Sequence, residues 1–313
     1  MRALVTGAAG FIGSTLTDRL LAQGWSVRGA DSFTPYYDPA AKRLNIAHLA
    51  GVADFELCEV DLAIVELNEL LDGIDVVFHL AGQPGVRLSW AEGFHTYSEM
   101  NIEVTQRLLE AARGRTLQRF VYASSSSVYG DADVVPTDEN HPTRPYSPYG
   151  VTKLAGEHLS SAYGRNFEVP TTSVRYFTVY GPRQRPDMAF HRLIEAALNG
   201  ESFPLYGDGR QVRDFTFIDD IVDATFLAGV ADLPAGTVLN AAGGDSMELL
   251  DVVNLVGEVT GSPVQLDWRK AQPGDVRRTG GSIERARELL GWTPKFDLRA
   301  GIERQTAWHR NRA

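Results

Sequence analysis

Gly7-Ala8-Ala9-Gly10-Phe11-Ile12-Gly13 stands between a short apolar strand at residues 3–6 and Ser14–Gln23, where Leu16, Leu20 and Leu21 recur at helical spacing. In such a GxxGxxG turn the first glycine allows the tight bend and the second lets the backbone approach a pyrophosphate. The third lets helix and strand pack closely, and the helix N-terminus offers free N–H groups and a positive dipole end to the phosphates. A glycine-rich strand–helix turn can also be purely structural, so its context matters. Ser26–Ala30 reads as a second strand, and Asp31 follows at its end, 18 residues after Gly13. A carboxylate there binds a ribose 2′-hydroxyl and repels a 2′-phosphate, which favours NAD over NADP.

Working outward, strands are expected at Phe55–Cys58, Val76–Leu80, Arg119–Ala123 and Thr171–Tyr176. Helices are expected at Val65–Leu71, Asn101–Arg113 and Tyr149–Tyr163. This alternation implies an α/β fold with a doubly wound parallel sheet covered on both faces. After about residue 178 the pattern becomes irregular. Helices remain readable at His191–Asn199, Met247–Thr260 and Ile283–Leu290, the last ended by Gly291 with Pro294 beyond it. A strand at Val238–Asn240 is expected to return to the main sheet, and the polar segment Gly274–Gly281 is expected to line a site. Residues 178–313 thus read as a smaller α/β lobe interleaved with residues 1–177.

Composition sets the limits. The chain has 313 residues, 43% apolar and 22% charged, ordinary values for a globular protein. No apolar run reaches the ~18 residues of a membrane span. The first residues show no signal-peptide anatomy, so secretion is not expected. Cys58 is the only cysteine, which excludes an internal disulfide framework and a multi-cysteine zinc site and fits a reducing cytoplasm. The net charge of −10 argues against a nucleic-acid partner. Local arginine clusters at Arg183/Arg185/Arg192 and Arg277/Arg278 suit either a small anionic ligand or a solvated surface, and charge alone favours the surface; the motifs below favour the ligand.

Tyr149-Gly150-Val151-Thr152-Lys153 places a phenol and an ammonium at i and i+4 on one helix face. The lysine is expected to favour phenolate, lowering a pKa that starts near ~10 and making Tyr149 a general base. Upstream, Ser124-Ser125-Ser126-Ser127 closes a strand and can supply a hydroxyl to the same substrate oxygen. YxxxK alone is a common surface spacing and a serine run is often a polar turn. Together, after the glycine turn and in this order, they are hard to explain as structure alone.

These motifs resemble the extended short-chain dehydrogenase/reductase family, specifically its NAD-dependent nucleotide-sugar epimerases. The resemblance covers nearly the whole chain: GAAGFIG at Gly7–Gly13, HLAGQ at His79–Gln83, SSSSVYG at Ser124–Gly130, YxxxK at Tyr149–Lys153, RYFTVYGP at Arg175–Pro182 and VRDFTFIDD at Val212–Asp220. It implies a Rossmann domain, a nucleotide-sugar domain and a homodimer. Ser125, Tyr149 and Lys153 become the catalytic residues. NAD contacts are implied for Gly7, Gly10, Phe11, Ile12, Gly13, Asp31, Ser32, Lys42, Asp61, Leu62, Leu80, Ala81, Gln83, Asn101, Tyr149, Lys153 and Tyr176. No metal is implied for the chemistry.

The family's dehydratases and decarboxylases carry an acid before VYG, where this chain has Ser127, so 4-epimerisation is favoured. The loop Asp31–Pro39 with Lys42 and Arg43, the segment Gln83–Arg87, and Thr178–Pro182 with Arg185–Ala189 resemble UDP-glucuronate 4-epimerases. UDP-glucose enzymes usually carry Asn where Thr178 stands and often Arg where Gln272 stands. The resemblance implies substrate contacts from Arg87, Ser125, Ser126, Ser127, Thr178, Arg185, Arg192, Arg213, Asp275 and Arg278. The expected reaction is epimerisation of UDP-glucuronate to UDP-galacturonate through a 4-keto sugar. The alternatives are a UDP-glucose or UDP-N-acetylhexosamine 4-epimerase, a UDP-glucuronate decarboxylase, or a non-catalytic NAD-sensing protein.

Overall fold

Strand β1 (Arg2–Thr6) is buried on both faces, with Ala3 and Val5 in one apolar cluster and Leu4 in another. That period of two, carried by an almost wholly apolar run, is what a central parallel strand needs. The computed structural model describes residues 1–312. After β1 come α1 (Phe11–Ala22), β2 (Ser26–Asp31), α2 (Pro39–Ile46), β3 (Phe55–Glu59), α3 (Leu67–Leu70), β4 (Val76–His79) and α4 (Phe94–Ser98). Then follow α5 (Val104–Ala112), β5 (Arg119–Ser125), α6 (Pro148–Phe167) and β6 (Thr171–Tyr176). The remainder contains β7 (Val179–Tyr180), α7 (Ala189–Asn199), β8 (Ser202–Tyr206), β9 (Val212–Phe217), α8 (Ile218–Val230) and β10 (Thr237–Ala241). It closes with β11 (Asp245–Glu248), α9 (Leu249–Thr260), β12 (Gln265–Arg269), α10 (Glu284–Leu290) and α11 (Leu298–Arg310).

Seven parallel strands form the main sheet in the order β3-β2-β1-β4-β5-β6-β10. Chain direction across the sheet reverses between β1 and β4, so their carboxyl ends open a crevice at the switch point, where such folds bind ligands. The strand expected at Val238–Asn240 is β10, hydrogen-bonded along β6 from Thr237–Thr172 to Ala241–Tyr176. Val76, Phe78, Val121 and Ala123 join the cluster packed by α1 and α8. Val77, Phe120 and Tyr122 face the opposite cluster with Leu108, Leu109 and Tyr163. Beyond the sheet lie the three-stranded β11-β9-β7 and the pair β12-β8. Their apolar residues Phe203, Leu205, Phe215 and Phe217 continue the first cluster.

The helix expected at Met247–Thr260 begins later, at Leu249, because Met247 and Glu248 extend β11 and pair with Arg213 and Val212. The helix expected at Val65–Leu71 shrinks to the single turn α3. The segment read as one helix from Asn101 opens with a π-turn at Glu99–Glu103 before α5. Helix α8 is absent from the sequence-based expectation: its less-buried positions Asp219, Asp223, Phe226, Leu227 and Val230 do follow one helix face, but apolar Phe226, Leu227 and Val230 share that face with the two acids and blunt its polar signal. Gly291 does end α10, in the left-handed conformation at φ 63°. Among the described residues, no helix is long and apolar enough to cross a membrane.

Candidate active site

The glycine turn is shaped by backbone contact. Gly7 has φ 71°, and a Cβ there would lie 3.0 Å from the Ala81 nitrogen. A Cβ on Gly13 would lie 2.0 Å from the Gly7 carbonyl oxygen. Gly10 is the N-cap of α1 and supplies no side-chain cap, so the first N–H groups of the helix are left for a ligand. Asp31, 6% exposed, accepts hydrogen bonds from Ala9 N (3.1 Å), Phe33 N (2.8 Å) and Lys42 Nζ (3.2 Å). The turn and the acid are therefore one built unit.

These groups line a cavity of about 680 Å³ at the switch point. Gly7, Gly10, Phe11, Ile12, Gly13, Asp31, Ser32, Lys42, Asp61, Leu62, Leu80, Ala81, Gln83, Tyr149, Lys153 and Tyr176 all border it, as does Arg185. A cradle that excludes any Cβ, a helix N-terminus without its own cap and a carboxylate at the second strand end fit a dinucleotide. Asn101 is the exception among the cofactor positions. It lies behind the wall, where its side chain bonds Gln83 N (2.7 Å), Gln83 O (3.0 Å) and Thr152 Oγ1 (3.0 Å), fastening that loop to α6. His79 is likewise structural, held between Thr6 Oγ1 (2.8 Å) and Thr105 Oγ1 (3.0 Å), and burial pushes its pKa down to about 3.

Helix α6 starts at Pro148, and the Ser147 hydroxyl caps it by accepting from Gly150 N at 3.1 Å. The cap sets Tyr149 in the first turn. Lys153 Nζ donates to the Ala123 carbonyl at 3.0 Å and lies 5.2 Å from the Tyr122 ring centroid. Burial lowers its pKa to about 8, against the pull of Glu157 one turn on. The expected lowering of the Tyr149 pKa by Lys153 is not what the site shows. Burial raises the Tyr149 pKa, and the groups that oppose the rise are the Ser125 hydroxyl and Arg185. The lysine ammonium is spent on the Ala123 carbonyl instead.

Beneath the catalytic helix, Arg175 pairs with Glu157 through two bonds of 2.8 Å and donates to Tyr129 Oη at 2.7 Å. Ser124 Oγ also donates to Glu157, and Tyr129 Oη donates to Asn240 at 2.8 Å. Ser124 therefore faces this network. Ser125 turns to Tyr149 and accepts from Ser127 N at 3.2 Å, while Ser126 and Ser127 sit half-buried on the turn.

The sugar-side residues are gathered from remote segments. Arg185 faces the cavity, bonded twice to Asp187 at 2.9 Å and 5.7 Å from the Tyr36 ring centroid. Arg87 meets Asp275 at 3.2 Å and lies 4.1 Å from the Tyr206 ring centroid. Arg213 donates to the Val276 carbonyl at 2.6 Å. Asp214 accepts from the N–H groups of Gly243, Gly244 and Gly281, and burial outweighs those donors to push its pKa up to about 6. It thereby anchors the end of the Gly274–Gly281 segment. Thr178 is half-buried, and its carbonyl accepts from Thr216 N at 3.1 Å. Of the expected substrate residues Arg185 borders the cavity, while Arg87, Ser125, Ser126, Ser127, Thr178, Arg213 and Asp275 do not, nor do the exposed Arg192 and Arg278; Arg183 pairs with Asp18. Tyr36 and Tyr37, within the loop Asp31–Pro39 singled out in the sequence, border the cavity, whereas sequence reasoning missed Tyr97 and Tyr206. The ring of Tyr97 meets that of Tyr149 edge-on at 6.2 Å, and its hydroxyl donates to the Pro84 and Gly85 carbonyls. No short-range pattern marks them.

A doubly wound sheet with a glycine phosphate turn at its switch point, and a Tyr–Lys helix beside it, defines a dinucleotide-dependent enzyme of the short-chain dehydrogenase/reductase type. The chain belongs to the NAD dependent epimerase/dehydratase family, whose model matches residues 3–242, and NAD is its cofactor. A Bacillus subtilis (strain 168) protein named "Uncharacterized UDP-glucose epimerase YtcB" is 43% identical, with 98% of each chain covered. A Rhizobium meliloti (strain 1021) protein named "Probable UDP-glucuronate 4-epimerase" is 34% identical over 99% of this chain and 97% of its own. The crystal structure of a UDP-glucuronic acid 4-epimerase from Bacillus cereus, in complex with UDP-glucuronic acid and NAD, superimposes with a TM-score of 0.97. That protein is 42% identical, with 100% of both chains covered.

Proposed function

We propose that this enzyme interconverts UDP-glucuronate and UDP-galacturonate by NAD-dependent 4-epimerisation. The observation that carries the reading is Arg185, a guanidinium bordering the same cavity as Tyr149, beside a serine turn that holds no carboxylate. Its two bonds to Asp187 leave N–H donors free for a substrate carboxylate. In this reading residues 1–177, with β10, hold NAD through the glycine turn, Asp31 and the cavity wall. Residues 178–313 mainly hold the nucleotide sugar. Arg87, Arg213 and Asp275 take the uridine diphosphate side, with Arg192 and Arg278 as further contacts. The homodimer implied by the family resemblance, and the cytoplasmic setting suggested by the lone cysteine, belong to the same reading.

Tyr149, in its phenolate form, takes the proton from sugar O4 while the Ser125 hydroxyl holds that oxygen; burial opposes the phenolate, and the Ser125 hydroxyl and Arg185 favour it. The glycine turn, Asp31 and the cavity wall would hold NAD, which would supply a reversible hydride acceptor for C4. Lys153, protonated at neutral pH and fixed by the Ala123 carbonyl, keeps a positive charge one turn from Tyr149. The 4-keto uronate is a β-keto acid that loses CO₂ when its carboxylate aligns with the ketone π-system. Hydroxyls of Ser126, Ser127 and Thr178 hold it out of that alignment.

Incubation with UDP-glucuronate, followed by NMR, tests the reading. UDP-galacturonate should form without net consumption of NAD. UDP-glucose should turn over at least ~10²-fold less efficiently, since each donor left unpaired costs about 1–3 kcal/mol. Equal rates on both sugars would replace the uronate by a neutral hexose. A UDP-pentose with released CO₂ would make the enzyme a decarboxylase.

A further inference from the structure

On the side of the small lobe where α7 meets α11, His191, Glu195 and His309 bring three donor atoms within 4.8 Å of one another. None of them borders the cofactor cavity. His191 and Glu195 stand at i and i+4 on α7, and His309 comes from the last turn of α11. The two imidazole centroids are 4.5 Å apart at 73°.

One buried ring nitrogen here, Nε2 of His309, has no hydrogen-bond partner among the described residues. His191 Nδ1 lies 2.8 Å from the Gln184 carbonyl oxygen, an acceptor, so Nδ1 carries the proton. Nε2 of the same ring faces Glu195 Oε1 at 3.0 Å, a contact that a proton on Nε2 or a cation bound between the two atoms completes. His309 is 7% exposed, and its Nε2 has no partner among the described residues. Its Nδ1 is 3.8 Å from the same Glu195 oxygen, beyond hydrogen-bond reach.

We propose that His191, Glu195 and His309 form a binding site for a Zn²⁺-class divalent ion that joins α7 to α11. Two imidazoles and one carboxylate are a donor set that zinc accepts, with bonds of about 2.0–2.2 Å and a fourth position open to water. The half-exposed Glu195 is the ligand free to move and close the geometry. The Gln184 carbonyl fixes the His191 tautomer, as an outer-shell acceptor does in metal sites. Gln184 Oε1 also accepts from His191 N (2.8 Å) and Gln305 Nε2 (3.0 Å), and Gln305 Oε1 accepts from Gly181 N (2.9 Å). The ion therefore braces the back of the segment that carries Thr178 and Arg185, and its role is structural.

The test uses untagged full-length protein stripped with a chelator, titrated with Zn²⁺ against a chromophoric indicator. Co²⁺ serves as a visible probe of tetrahedral coordination. One equivalent should bind per chain, and Zn²⁺ should raise the melting temperature. His309→Ala should weaken binding by about 100-fold or more, the upper end of what losing even an outer-shell partner costs. Glu195→Gln changes only a half-exposed side chain, so it keeps the fold and should show the same direction of loss. No stoichiometric phase below about 1 mM, a dissociation constant worth only about 4 kcal/mol, would overturn the site. So would an isotherm that Glu195→Gln leaves unchanged. Neither readout uses a sugar nucleotide, so failure here is separate from failure of the epimerase reading.

Discussion

Two ion pairs, one under the cofactor cleft and one at the sugar side, show how differently the halves of this site are made. Glu157–Arg175 lies between α6 and β6 with side chains 4% and 5% exposed, and Ser124 and Tyr129 complete its bonds. Arg87–Asp275 joins segments 188 residues apart, with side chains 44% and 33% exposed. The first pair is frozen into the core that aims the catalytic helix. The second is held in water, where Coulomb attraction is screened and side-chain entropy opposes it. On the proposed function, a cofactor kept through turnover suits a rigid cradle, whereas a sugar nucleotide that enters and leaves suits a side built from exchangeable contacts.

The comparison is broken most severely at the chemistry itself. Tyr149→Phe should retain NAD and nucleotide-sugar binding by calorimetry while kcat falls by at least ~10²–10⁴. Near-normal turnover would remove Tyr149 as the base. Next comes the buried pair. Glu157→Gln leaves the Arg175 guanidinium buried without its counter-charge, a loss of about 3–5 kcal/mol in urea unfolding. A loss below ~1 kcal/mol, the range of exposed pairs, would erase the distinction between the two halves. The smallest effect is expected at the sugar side. Arg87→Ala should cost no more than about 1 kcal/mol of stability. It should raise KM for the UDP-sugar with kcat nearly unchanged, the signature of lost uniform binding. A drop in kcat with KM constant would place Arg87 on the reacting sugar instead.

What the sequence determined by itself was local in origin. The glycine turn, Asp31 at a strand end and the Tyr149–Lys153 spacing are encoded within a few residues, because phosphate binding uses backbone and helix geometry and i,i+4 contact follows from helical pitch. The parallel sheet was legible from apolar strands alternating with helices, down to the return of β10. Tertiary structure alone decided the rest. It turned Ser124 to Glu157 and Ser125 to Tyr149, although the four serines look alike in sequence. It set Asn101 behind the cavity wall and left Arg192 exposed on α7. It directed the Lys153 ammonium to the Ala123 carbonyl, so the Tyr149 pKa rises with burial where spacing alone implied a fall. It also brought Arg87, Tyr206 and Asp275 to one place. A pKa depends on burial and on every neighbouring charge, and a long-range contact depends on how separate elements pack, and neither quantity is written in residue spacing.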